Sequence, residues 1–122
     1  PEFYSAKNVR ARKPHKCDEC RRDILPGEQY QNAFSLDDGH PNQYWTCRHC
    51  MVGFGWLLEN CNAFMHLALN DDMAEHASEY PDIAYGLLRI RAGMQRKWQR
   101  FDGAGLMPEP RMPRPISVAE VA

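Results

Sequence analysis

The chain has 122 residues, enough for one compact body and too few for two ordinary domains, so any function has to sit on a single core. Fifteen Lys and Arg stand against 16 Asp and Glu, a balance that gives no global attraction to a polyanion. No run approaches the roughly 20 apolar residues of a membrane span, and no basic-then-apolar leader precedes the first cysteine, so a soluble protein of the cytoplasm is expected.

Pro1-Glu2-Phe3 has the look of a remnant of cloning sites and is set aside; without Glu2 the acidic count drops to 15 and the formal charges cancel. Residues 4–16 are polar and basic with no apolar period, an arm carrying Lys7, Arg10, Arg12, Lys13 and Lys16. The middle of the chain is acidic by contrast, with Asp71, Asp72, Glu75, Glu79 and Asp82 close together. Between Cys20 and Cys47, turn signals at Pro26-Gly27 and Asp38-Gly39 separate β-prone runs at 28–34 and 42–46, which predicts a short hairpin.

From Arg48 the apolar positions Cys50, Phe54, Leu57, Leu58, Cys61, Phe64, Met65 and Ala68 recur at offsets of three and four, the helical period. Trp56 and Leu67 lie outside that stripe, so the predicted helix is apolar nearly all round. Such a helix is either central to the fold or an interface, and Cys50 to Ala68 is a candidate homodimer or docking surface. Gly53 and Gly55 mark a late helix start or a close backbone contact. Asn70 or Asp71 is the expected N-cap of a short acidic helix, which Tyr80-Pro81 interrupts. The helix after it carries Ile83, Leu87, Ile90, Met94, Trp98 and Phe101 on one stripe and Arg89, Arg96 and Arg100 on another face. Residues 102–122 form a proline-rich tail suited to extended geometry, able to strap onto the body or to reach a partner. The expected division is a basic arm and finger over 4–60, a helical part of the same domain over 61–101, and the tail.

Five cysteines, four of them in two Cys-x2-Cys pairs, suit a reducing compartment in which thiols bind metal. Cys17, Cys20, Cys47 and Cys50, paired across 26 intervening residues, have the spacing of a structural four-cysteine zinc site, with an iron–sulfur centre or disulfides as alternatives. Four thiolates on one divalent ion leave a charge of about −2, which Lys16, Arg21, Arg22 and Arg48 could offset. His15 and His49 are expected beside the site, not in it. His66 and His76 stand among acids where either a second metal site or a solvated face is conceivable. Cys61, on the apolar stripe, is expected to be an inert core thiol.

A cysteine turn, a hairpin and a second pair at the start of a helix resemble a treble-clef zinc finger over residues 15 to about 60. Within that class the chain is similar to small phage and prophage zinc proteins of unassigned role, through His15-x-Cys17-x2-Cys20, the run Ile24 to Tyr30, Asp38-Gly39 and Cys47-x2-Cys50. HNH nucleases share the grammar, and His40 and Asn42 superficially fit. Met51 follows Cys50 where they have a metal-binding His, however, and a single residue separates His40 from Asn42 where they have a long loop. Nick-sensing fingers of the poly(ADP-ribose) polymerase type use His at the third ligand, where this chain has Cys47 after Tyr44-Trp45.

The expected fold class is therefore α+β: a treble-clef finger, β-hairpin plus helix, extended by a small helical bundle and the tail. No nucleophile, base and oxyanion donor can be placed together, so no enzymatic activity is expected. The resemblance, a closed metal site and the surplus apolar helix imply a zinc-stabilised phage or mobile-element accessory protein. It would act in the host cytoplasm by binding and modulating or inhibiting a host macromolecular complex, such as a defence nuclease or a transcription complex. The alternative is a nucleic-acid-binding module. Candidate interaction residues are Lys7, Arg10, Arg12, Lys13, Arg21, Arg22, Trp56, Arg89, Arg96 and Arg100. Tyr44 and Trp45 could stack bases, or pack on Phe54 and Trp56.

Overall fold

The computed structural model describes residues 2–116 and has α+β architecture. The elements in chain order are strands β1 (Phe3–Arg10), β2 (His15–Lys16), β3 (Asp23–Ile24), β4 (Gln29–Asp37) and β5 (His40–Cys47), then helices α1 (Arg48–Cys61), α2 (Leu69–Glu79) and α3 (Ala84–Gln95). Among the described residues no helix is long and apolar enough to cross a membrane.

The hairpin of β4 and β5 closes at Asp38-Gly39, whose φ angles of 50° and 79° are the two left-handed positions that a two-residue turn demands. Its register runs from Asp37↔His40 at the tip to Tyr30↔Cys47 at the other end, which delivers Cys47 to the base of the hairpin. β1 adds to the outer edge of β4, giving an antiparallel sheet of order β1-β4-β5. The segment read as a basic arm is mostly strand. Its side chains show no apolar alternation because most of them are exposed, and its partner lies far downstream. Pairing begins at Phe3, and the Gly39 N–H donates to Glu2 Oε1 (2.8 Å), so two of the residues read as a cloning remnant belong to the sheet. Pro1 lies outside the described residues.

Strand alternation gives the sheet two unlike faces. Tyr4, Ala33, Ser35, Tyr44 and Thr46 point toward α1 and the 62–67 turn, and Ala33, Ser35 and Thr46 are buried there. Lys7, Tyr30, Asn32, Phe34, Gln43 and Trp45 share the opposite face.

α1 stops at Cys61 and not near Ala68. Asn62 adopts a left-handed conformation (φ 62°) and donates its N–H to Leu58 O, a cap that ends the helix and turns the chain. Met65 and Leu67, expected on the helix, lie in the turn and are exposed. The helix is apolar nearly all round because it is enclosed by the sheet, by α2 and α3 and by the residues after 106. Phe54, Trp56 and Leu57 are buried, each contributing about 1.5–3 kcal/mol. Of the span from Cys50 to Ala68, the large apolar side chains left exposed are those of Leu58 on the helix and Met65 and Leu67 in the turn. Trp56 is not an interaction residue: it is fully buried and its Nε1–H donates to Arg114 O (2.9 Å). Cys61, expected in the core, is exposed with Sγ 3.2 Å from His76 Nε2.

α2 begins at Leu69, one or two residues before the expected cap. The Leu67 and Leu69 N–H groups donate to the Glu19 carboxylate (2.6 and 3.2 Å), so the cap comes from a remote part of the chain. Burial raises the pKa of that carboxyl, against the two N–H bonds. A 3-10 turn at Pro81–Ile83 joins α2 to α3, as the Tyr80-Pro81 signal predicts. Ile83, Leu87, Ile90, Met94 and Trp98 are buried as the stripe requires. The helix itself ends at Gln95. Lys97 and Trp98 turn left-handed (φ 53° and 57°), Trp98 N–H donates to Gly93 O (2.7 Å), and the indole folds back over Gly93. Phe101 is consequently exposed, with the Arg96 guanidinium 3.6 Å above its ring. Arg89 stays on α3 over Tyr85, while Arg100 lies beyond the turn and donates to Leu106 O, so the three arginines share no face.

After Leu106 the chain returns over the helices without regular secondary structure. Met107 N–H donates to Trp98 O, Pro113 is buried against Gly86, and Ile116 N–H donates to Asn60 Oδ1. The tail read over 102–122 is described as far as Ile116; residues 117–122 lie outside the described residues.

Two measurements test this packing. A Cβ at Gly93 would overlap the Trp98 ring, so Gly93→Ala should lower stability by about 1–3 kcal/mol in denaturant melts. Gly55→Ala, whose Cβ would meet only the flexible end of Met112 at 3.3 Å, should be neutral or stabilising by up to about 1 kcal/mol. The second concerns His66, which stacks on Tyr44 (4.2 Å), meets Phe54 and Phe64 edge-on and has Nε2 3.0 Å from the Tyr4 hydroxyl. Burial holds its pKa below the ordinary value of 6.5, so the unfolded chain takes up the proton first as pH falls. Stability should drop as pH is lowered through about 6.5, and His66→Phe should flatten that dependence in melts at pH 5.5 and 7.5.

Candidate metal centre

The first cysteine pair lies in the turn between β2 and β3. Arg21 N–H donates to Cys17 O (2.9 Å) and Arg21 sits at φ 68°, which turns the chain so that Cys17 N–H can donate to Arg22 O (2.9 Å). The second pair straddles the junction where β5 ends at Cys47 and α1 carries Cys50 in its first turn. Asp18 joins the two: its carboxylate accepts from Trp45 N–H (2.7 Å) and its own N–H donates to Trp45 O (2.8 Å).

All four cysteines are buried and their sulfurs lie within 4.8 Å of one another. Cys20 and Cys47 Sγ are 3.8 Å apart. A tetrahedral ion with bonds of about 2.3 Å to sulfur needs edges of about 3.8 Å, so the donor set fits such an ion. Cys47 N–H points at Cys17 Sγ (3.3 Å), a donor aimed at a thiolate. Left to themselves the thiols share protons unequally. Hydrogen bonds from Cys20, Cys47 and Cys50 hold Cys17 below the ordinary thiol value. Cys47 is also low, because Cys20 and Cys50 outweigh the opposing effect of Cys17. Cys20 is pushed up chiefly by its bonds to Cys17 and Cys47, and Cys50 by its bonds to all three neighbours. A divalent ion would favour four thiolates at once and displace those protons.

Of the four basic residues expected to balance the cluster, only Arg22 is buried. Burial disfavours its charge, but the Glu28 carboxylate (3.0 and 3.2 Å) and the thiol cluster keep it protonated. Arg22 is therefore a support of the site and not a free interaction residue. Lys16 pairs with Asp23, Arg21 with Asp18 and Arg48 with Glu109, all at the surface. His49 bridges outward: Nδ1 accepts from Arg22 Nη2 (3.3 Å) and Nε2–H donates to Met107 O (2.6 Å), while burial lowers its pKa. His15 lies between the Tyr30 and Trp45 rings (5.0 and 4.5 Å).

Among the described residues no other group of three or more His, Cys, Asp or Glu side chains could hold a metal ion. His66 is enclosed by aromatics and His76 Nδ1–H donates to Asp72 O. His40 and Asn42 sit at the hairpin tip, where Asn42 donates to Asp37. Asp18, Glu19 and Glu28 were missed as site residues. Their local signals are position inside the first cysteine turn for Asp18 and Glu19 and, for Glu28, position in the run Ile24 to Tyr30.

No family model, curated protein or solved structure matches this chain, so the centre stands on its own geometry. The protein should carry one tetrahedral metal ion per chain by elemental analysis. A cluster of this kind contributes about 10–16 kcal/mol of apparent binding energy, more than a small domain's whole stability. Chelation or Cys17→Ser should therefore unfold the N-terminal half in CD and NMR; unchanged melting without metal would overturn the assignment.

Proposed function

We propose that this protein is a zinc-stabilised module of treble-clef type that binds nucleic acid and catalyses no reaction. Zinc is the ion of choice for four buried thiolates, and a shell of four protein ligands leaves no open position for a substrate, so its part is structural. The observation that carries the reading is a depression of about 830 Å³ beside β1. Lys7, Arg10, Arg12 and Lys13 line it, with His15 and Tyr30, and no carboxylate does. Arg10 donates to Gly27 O (2.6 Å), and Lys7, Arg12 and Lys13 form no ion pair among the described residues. The chain's overall neutrality therefore conceals a local excess of positive charge suited to phosphates.

A second reading, an accessory protein of phage or mobile-element origin that docks on a host complex, is favoured by one feature. Tyr85 and Leu88 on α3 are 77% and 45% exposed beside Arg89. A nuclease-controlled pull-down from lysate, paired with oligonucleotide titrations at 50 and 200 mM salt, separates the two. Three or four phosphate contacts should weaken binding roughly 20- to 150-fold over that range. One stoichiometric protein partner surviving nuclease, with no salt-dependent oligonucleotide binding, would replace the nucleic-acid reading by the second.

A further inference from the structure

We propose that the uncovered face of the three-stranded sheet is a platform for single-stranded nucleic acid, with bases stacked on Phe34 and Trp45 and phosphates held by Lys7 and Lys13; this rests on the nucleic-acid reading above. The face is set by register. Lys7 pairs with Asn32, and Asn32 with Trp45, so these three stand in one row across the sheet. Phe34 is the next residue of β4 on that face, diagonal to Trp45 at about 7–8 Å. Alternation sends Tyr44 to the opposite side, where it stacks on His66, so the adjacent Tyr44-Trp45 pair is split and only Trp45 is available for bases.

Two of the strand rings on this face reach solvent, Phe34 and, in part, Trp45, whereas Tyr30 is buried at its end near Cys47. Phe34 is 38% exposed although α1 covers the other side of the same strand, and Trp45 is half-buried under His15. Between the rings, Gln43 Nε2 donates to Asn32 Oδ1 (3.0 Å), which leaves Asn32 Nδ2 and Gln43 Oε1 for a base edge.

Charge selects the occupant. The three strands place Lys7 and no carboxylate on this face, and Lys13 stands at its margin in the basic depression. Asp18 is engaged with Trp45 N–H and Arg21, and Asp37, on the far face, with Ser35 and Asn42. A positive, ring-bearing surface matches a polyanion whose bases are free to leave their stack, and a duplex buries the base faces that Phe34 and Trp45 would meet.

The test uses the full-length, metal-loaded protein and a labelled 12-nucleotide strand of mixed sequence, as DNA and as RNA, against its duplex, followed by fluorescence anisotropy. Single strands should bind more tightly than duplex and quench tryptophan emission, because Trp56 and Trp98 are buried and Trp45 is the accessible indole. Phe34→Ala should weaken single-strand binding by about 5- to 100-fold with an unchanged CD spectrum. Lys7→Gln should reduce the salt slope by about 0.7. Arg111→Gln, in the segment after Leu106 and not on the sheet, should change neither. Duplex bound as tightly as single strand, with no effect of Phe34→Ala, would overturn the platform and leave the nucleic-acid reading standing. Absence of all oligonucleotide binding by folded protein would overturn both.

Discussion

The rest of the structure depends on the first cysteine turn and its contact with Cys47. Successive residues of that turn reach first β5 and then α2. Cys17 Sγ accepts from Cys47 N–H, Asp18 pairs twice with the backbone of β5, and Glu19 caps the start of α2. Arg22 runs through His49 to the segment after Leu106. A turn of six residues thereby fixes hairpin, helices and tail relative to one another. An ion held by the four sulfurs would tie all of these contacts together, because two facing cysteine turns without one leave four buried thiols with competing proton demands.

What the chain discloses locally and what it hides divide along a physical line. The cysteine spacing, the Asp38-Gly39 turn and the Tyr80-Pro81 break are governed by neighbours in sequence and are plain in it. β1 is hidden because a mostly exposed edge strand has no apolar rhythm and gains its hydrogen bonds from residues about 25 positions away. The end of α3 is hidden because it is decided by Trp98 finding the bare backbone of Gly93, a match of shape that periodicity does not encode. Trp56 misleads for a related reason. A residue off the main apolar stripe reads as surface until the returning chain supplies Arg114 O and covers it. The four clustered cysteines were legible, and so was the place of His49 beside them, whereas the carboxylates of Asp18, Glu19 and Glu28 were not.

His66 shows how the small helical part is joined to the sheet without a large core. A histidine in a turn fills the space between Tyr4, Tyr44, Phe54 and Phe64, places where an aliphatic residue would leave the Tyr4 hydroxyl unpartnered. The arrangement requires a neutral ring, and burial supplies that condition. The same logic governs His49, neutral between a buried guanidinium and a carbonyl. Both imidazoles are used for shape and hydrogen bonding, which leaves the charge of the protein to its Lys, Arg, Asp and Glu side chains.

Pinning the hairpin at its base has a consequence for what the sheet can do. An antiparallel sheet needs burial on one face only, and α1 supplies it on the side of Ala33, Ser35 and Thr46. Burial of that one face specifies the strand register, and the ends of the hairpin reinforce it. Here the cysteine cluster and the Asp18 contacts hold Cys47 and Trp45 in place from the end of the strand, and the left-handed turn at Asp38-Gly39 fixes the tip. With both ends of β5 secured, the exposed face is released from packing and can carry Lys7, Gln43 and a solvent-exposed Phe34 at little cost in register. That freedom is what makes a polar, ring-bearing sheet face affordable in so small a protein.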